Sequence, residues 1–102
     1  MVNILLCCSA GMSTSMLVKK MRAAAAEKGI EAEIWAISQS ELSDNKDKAD
    51  IVLLGPQIRF AINDVKAEVG PDKPVDVIDL LDYGTMNGKK VLEFALTKLN
   101  SK

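Results

Sequence analysis

The sequence predicts an α/β fold: a single open sheet of four parallel strands, doubly wound in the order 2-1-3-4, with helices on both faces. Three observations predict it. Four short apolar runs recur along 102 residues, at Val2–Cys7, 31–37, Ile51–Leu54 and Val75–Ile78. Segments with apolar residues at helical spacing lie between or after them. Small residues, glycine or proline punctuate the joints. Strands that alternate with helices pair in parallel, and right-handed crossovers restrict how they are wound.

Each element has its own justification. Val2–Cys7 is a short apolar run ended by small residues, the pattern of a buried strand. Ser13 or Thr14 is the expected cap of a helix running to about Lys28, with Leu17, Met21, Ala24 and Ala25 at helical spacing and Gly29 as terminator. Residues 31–37 alternate in part and read as the second strand. Ser38 to Lys48 is polar, with Leu42 its one large apolar residue, and reads as a short surface helix or turn. Ile51–Leu54 is a continuous apolar strand closed by Gly55-Pro56. Ile58, Ile62, Val65 and Val69 place a helix over 58–69, and Gly70 to Pro74 form a loop. After the fourth strand, Asp79 to Asn87 reads as a longer connection containing Tyr83-Gly84. A last helix follows Gly88, with Val91, Leu92, Ala95, Leu96 and Leu99 as its apolar stripe. Residues 1–102 read as one domain. The arrangement is flavodoxin-like, so the ligand site is expected beyond the carboxyl ends of the strands, beside the switch point. The loops after strands 1, 3 and 4 border that edge.

Composition excludes several function classes. A chain that is 48% hydrophobic and 26% charged has an ordinary globular composition, and a net charge of −1 gives no reason to expect nucleic acid or a lipid surface as partner. Aromatic side chains are limited to Trp35, Phe60, Tyr83 and Phe94, too few for a base-stacking surface. The opening apolar run is too short for a signal-peptide core or a membrane span. Cys7 and Cys8 are adjacent and no third cysteine exists, so both read as reduced thiols, which favours the cytosol. Histidine is absent, which removes a Cys-His dyad and most zinc sites; no metal or cofactor is expected. Charge is unevenly spread: residues 1–26 hold Lys19, Lys20 and Arg22 and no carboxylate, the first acid being Glu27.

Cys8 is the candidate nucleophile. It stands where a strand gives way to Ser9-Ala10-Gly11-Met12-Ser13-Thr14-Ser15 and a helix start. Loop amides and a helix N-terminus in that position favour an anion, whether thiolate or phosphate. The spacing is that of a phosphate-binding loop built on cysteine. Tyrosine phosphatases hold Cys, five residues, Arg, then Ser or Thr; here Thr14 stands where they have Arg, followed by Ser15. Without the guanidinium clamp and a placed general acid, hydrolytic turnover is poor. A cysteine that accepts phosphate and holds it fits better than one that hydrolyses it. Cys7 lies within the strand and reads as a small buried hydrophobe.

The run Leu6-Cys7-Cys8-Ser9-Ala10-Gly11-Met12-Ser13-Thr14-Ser15 resembles the start of the enzyme IIB component of the bacterial phosphoenolpyruvate-dependent sugar phosphotransferase system, lactose/cellobiose type. The resemblance continues through Val52 to Ile58, Lys73 to Asp79 and Tyr83-Gly84, and so spans nearly the whole chain. At Cys7 the family commonly has an apolar strand residue; register identifies Cys8, directly before Ser-Ala-Gly-Met, as the family's cysteine. The resemblance implies a cytoplasmic phosphotransferase. Cys8 would take a phosphoryl group from a phosphohistidine of the IIA component. It would pass it to a β-diglycoside of the cellobiose, chitobiose or lactose class held by the membrane component IIC. Backbone amides of the Ser9–Ser15 segment would hold the phosphoryl oxygens, with Ser13, Thr14 and Ser15 hydroxyls as further donors and Gly11 allowing close approach. Gln57 and Tyr83 are candidates for the rim or a partner contact, Tyr83 equally for a core cover, and Met12 for a partner contact or a core position. Lys19, Lys20 and Arg22 lie too far along the helix to be assumed phosphate ligands and read as a solvated or IIA-facing surface. A monomer that meets IIA and IIC in turn is expected. Two rival classes remain: a low-molecular-weight phosphatase-like hydrolase, opposed by the missing Arg at position 14, and a thiol-redox module, opposed by the lack of a resolving cysteine at usable spacing.

Overall fold

The structure, a computed structural model, describes residues 1–8 and 11–100, and the backbone alone at 11–13. Four parallel strands, β1 (Val2–Cys8), β2 (Ala32–Ser38), β3 (Ile51–Leu54) and β4 (Val75–Val77), form one sheet in the order β2-β1-β3-β4. The expected order therefore holds. β1 is paired on both sides, Cys7 lying opposite Ile37 on one flank and Leu54 on the other. Helix α1 (Gly11–Glu27) carries the chain from β1 to β2. The short α2 (Leu42–Asn45), flanked by 3-10 turns at Gln39–Glu41 and Lys46–Lys48, leads back to β3. A 3-10 segment, Pro56–Ala61, runs into α3 (Ile62–Val69) before β4. Beyond β4 come α4 (Leu80–Gly84) and α5 (Gly88–Asn100).

The direction of each crossover decides which face its helix covers. With right-handed connections, β1 to β2 runs one way across the sheet, and the steps to β3 and β4 run the other way. The helices therefore divide. On one face, Ile4, Leu6, Ile51 and Leu53 pack against Leu17, Val18, Met21, Ala24 and Ala25 of α1 and Val91, Leu92 and Ala95 of α5. On the other, Leu5, Cys7, Val52 and Leu54 meet Leu42 and the Ile58, Ala61 and Val65 side of the third crossover. The two-residue alternation along β1 sorts its side chains between two cores.

Three boundaries differ from the sequence expectation. α1 begins at Gly11, so Ser13 and Thr14 lie inside the helix and neither caps it. Thr14 instead belongs to the buried stripe that continues at Leu17, Val18 and Met21, and it is 1% exposed. Its position on the core-facing side of α1, not its capping propensity, decides its place. The 58–69 helix is divided: Pro56–Ala61 is 3-10, bent at Ile58 (φ −117°, ψ 26°), before α3 begins. The 79–87 connection contains α4, capped by Asp79, whose carboxylate accepts from the Leu81 and Asp82 amides at 3.0 and 3.2 Å. At the other end of α1, Gly29 (φ +70°) closes the helix as expected. Its amide bonds to Ala26 O at 3.1 Å and that of Ile30 to Ala25 O at 2.9 Å, a Schellman pair.

α5 is pressed onto α1 at one point. A Cβ on Gly88 would lie 2.5 Å from the Lys20 carbonyl carbon and 2.6 Å from the Met21 nitrogen, both backbone atoms that no rotamer change can move. Gly88→Ala should therefore lower unfolding free energy by roughly 1–3 kcal/mol, the usual cost of overpacking. Gly84→Ala, where a Cβ meets nothing within 4 Å, should be neutral or stabilising in the same urea titration.

Candidate functional site

The site is the carboxyl edge of the sheet at β1. Cys8 is the last residue of that strand, paired with Ser38 of β2, and it is 2% exposed. Its Sγ donates to the Ile37 carbonyl at 3.8 Å. α1 starts three residues further on with no acidic residue in its first turn. A 17-residue helix leaves its first amides without intrahelical acceptors and carries a partial positive charge at that end. Ser9 and Ala10 lie outside the described residues, as do the side chains of Gly11, Met12 and Ser13, so the Met12 and Ser13 contacts expected above fall there too.

Elements from three other parts of the chain close around Cys8. The ladder is extended past β3 by the Gly55 amide, which donates to Cys7 O at 2.9 Å, and past β4 by Ile78, which donates to Leu54 O at 2.9 Å. Gly55 is thereby set beside the thiol. Its backbone (φ −62°, ψ 146°) is open to any residue, so conformation does not reserve the position. Space is the constraint: a Cβ there would lie 2.8 Å from Gln57 Oε1, 3.5 Å from Cys8 Cβ and 3.7 Å from Tyr83 Cε1. Gln57 itself is exposed, with its amide oxygen over Gly55. Tyr83, on α4, is 8% exposed and belongs to the α1–α5 core. Its hydroxyl and Thr14 Oγ1 are 3.0 Å apart. Ser15 sits on the exposed side of α1.

The structure thus brings Cys8, Thr14, Gln57 and Tyr83 to one edge. It does not bring the α1 basic residues there. Lys19 and Lys20 are exposed further along α1, and Arg22 Nε donates to Ile34 O at 2.9 Å, binding α1 to β2. Sequence reasoning placed Gly55 in a bordering loop without seeing its role as the wall between Cys8 and Tyr83; the glycine immediately after a strand was the available signal. Among the described residues, no group of three or more His, Cys, Asp or Glu is placed to hold a metal ion, and no helix is long and apolar enough to cross a membrane.

A strand end followed by the N-terminus of a helix with no acid in its first turn is a place that favours an anion. The model of the PTS system lactose/cellobiose-specific IIB subunit matches residues 3–94. The chain belongs to this family. It is 47% identical over 98 residues to the oligo-beta-mannoside-specific EIIB component of Bacillus subtilis (strain 168), covering 95% of each chain. It is 46% identical over 104 residues to the galactose-specific EIIB component of Lactococcus lactis subsp. cremoris, again covering 95% of each. The solution structure of a cellobiose-specific phosphotransferase IIB component from Borrelia burgdorferi aligns with a TM-score of 0.82 at 47% identity, over 99% of this chain and 94% of that one. A lactose-specific IIB domain from Streptococcus pneumoniae shares the fold, with a TM-score of 0.85 at 16% identity over 95% and 96% of the two chains. EIIB components are parts of phosphotransferase systems that transport sugars, and this IIB chain is one of them.

The neighbouring Cys7 has the opposite environment. It faces the α3 side, fully buried, and burial pushes its thiol up to about 11 from the ordinary 9.0, with Cys8 and Glu68 adding in the same direction. Below pH 9 the thiol is protonated folded and unfolded alike. As pH rises from about 9 to about 11 the unfolded chain loses its proton first, so stability falls across that window. Cys7→Ala should flatten the fall in urea midpoint between those pH values; an unchanged slope would assign it to other groups. At the Cys8 wall, Gly55→Val should leave the protein folded by far-UV circular dichroism and, under the carrier reading proposed below, cut phosphoryl acceptance at least about tenfold, because its branches enter the gap shared by Cys8 and Tyr83.

Proposed function

We propose that this chain is a cytoplasmic phosphoryl carrier in which Cys8 is the phosphorylated residue. The thiolate sulfur attacks the phosphorus of a phosphohistidine on IIA; an S–P bond forms as the N–P bond breaks and the imidazole keeps the electron pair. A sugar hydroxyl oxygen held by IIC then attacks the same phosphorus. An O–P bond forms, the S–P bond breaks, sulfur leaves as thiolate, and the hydroxyl proton is lost on the acceptor side. Such transfers depend on alignment and on charge stabilisation of the phosphoryl oxygens. The observation that carries the reading is the placement of Cys8 at the end of an inner strand, three residues before a helix N-terminus whose first turn is free of acid. The backbone of the Ser9–Ser15 segment supplies the donors in this proposal.

The sugar is proposed as a β-diglycoside of the cellobiose, chitobiose or lactose class. Relatives of nearly equal similarity carry oligo-beta-mannoside, galactose and cellobiose in their names, which is consistent with a sugar chosen by IIC. Large apolar side chains are exposed on segments that leave the carboxyl edge: Phe60 after β3, Leu80 and Leu81 at the start of α4. They suit transient protein contacts, and donor and acceptor must both approach Cys8, so their footprints overlap on a monomer.

The test is direct. With phosphoenolpyruvate, the general relay proteins and a cognate IIA, the wild-type chain should gain one phosphate, mapped to Cys8 by peptide mass spectrometry under conditions that preserve a thiophosphate. Cys8→Ser should pass none onward. Normal relay by that variant would sink the proposal, and steady release of phosphate from an aryl phosphate by the wild type would favour the hydrolase instead.

A further inference from the structure

Thr14 is the one residue among the described polar and charged side chains, tyrosine aside, that is fully buried. A buried hydroxyl requires a partner, and its partner is Tyr83, 69 residues away and 3.0 Å distant. The pair joins the first turns of α1 to α4, two elements that meet nowhere near each other in sequence. The Tyr83 ring lies 3.7 Å from the point where a Gly55 Cβ would stand, and Cys8 Cβ lies 3.5 Å from the same point. Tyr83 therefore flanks the gap beside Cys8 on one side and holds the helix that follows Cys8 on the other. Position 14 is also where the phosphatase spacing places its arginine. Here that side chain is turned into the core, with its oxygen engaged by Tyr83.

We infer that Tyr83 is a positioning residue for transfer at Cys8: through Thr14 it fixes the first turns of α1 against the sheet edge, so that the Thr14 hydroxyl serves this tie and the helix N-terminus is left to serve the anion. The kinetic part rests on the proposed carrier function; the structural tie does not. A neutral hydrogen bond of this kind has a net effect of roughly three- to tenfold in an equilibrium. The ring would remain in Tyr83→Phe, and the methyl in Thr14→Val, so both variants keep the packing, lose the bond and deprive the other hydroxyl of this partner.

Two readouts separate the possibilities. In phosphoryl delivery from cognate phospho-IIA, Tyr83→Phe and Thr14→Val should each lower the maximal rate roughly three- to tenfold with KM unchanged. Thr14→Ser should stay close to wild type, and the double variant Thr14→Val/Tyr83→Phe should fall no further than either single one. Independently of any partner, hydrogen exchange should quicken by a similar factor at the amides of residues 15–18, which donate to the carbonyls of the first helical turn, with the sheet unchanged. A raised KM at unchanged maximal rate would make Tyr83 a partner contact and overturn the inference. So would multiplicative losses in the double variant, or exchange that quickens without any change in rate. If the wild type accepts no phosphate from any IIA, the carrier proposal fails. Unchanged exchange in Tyr83→Phe then overturns the tie by itself.

Discussion

The pairing of β1 on both flanks is the constraint from which the rest of the site follows. Its register with β2 extends through Cys8 and Ser38, and its register with β3 ends at Cys7 and Leu54. Each further residue on β3 and β4 is then added by one ladder bond, Gly55 onto Cys7 and Ile78 onto Leu54. A shift of β1 by one residue would exchange its two side-chain sets between the two cores. It would also move Cys8 off the edge, away from Gly55 and from the α1 N-terminus. Placement of the thiol is thus a consequence of strand pairing.

That register also explains why two adjacent cysteines have such different surroundings. Alternation sends Cys7 to the α3 face, where Leu5, Val52, Leu54 and Ile58 surround it and burial keeps its proton on. Cys8 points to the other face, next to a glycine and at the mouth of a helix. Both have almost no exposed surface, so accessibility does not distinguish them. What lies beside each sulfur differs: an apolar core in one case, the Ile37 carbonyl that accepts from Cys8 Sγ and a helix N-terminus in the other.

What was legible from the chain was whatever has a local period. The four apolar runs predicted four strands, and their alternation with helical segments predicted the 2-1-3-4 order that the structure has. The apolar stripes of α1 and α5, the Gly29 terminator and the solitary Leu42 of the second crossover were readable for the same reason. Cys8 stood out because its neighbours are small and free of acid. What escaped has no period to read. α4 is five residues long, opens with two exposed leucines and depends on the Asp79 cap for its start, so it has no amphipathic stripe. Thr14 shares with Ser13 a local propensity for the cap, while the structure buries it in the core. The Thr14–Tyr83 bond joins positions far apart in sequence, and only the packed fold brings them together.

A carrier has a narrower electrostatic requirement than a hydrolase, and the composition of this edge bears on it. If the phosphoryl group is held mainly by backbone amides and a helix end, its oxygens are stabilised by dipoles of fixed position and not by a mobile formal charge. Stabilisation of that kind acts on the bound group at every stage of transfer, whether the other partner is an imidazole nitrogen or a sugar oxygen. An arginine at position 14 would bind the oxyanion more tightly and deepen the phosphocysteine state, which the next step must then climb out of. Turning position 14 inward onto Tyr83 keeps the edge free of that clamp while holding α1 in place. On this reading, the absence of a guanidinium at position 14 suits a site that must release the phosphoryl group as readily as it accepts it.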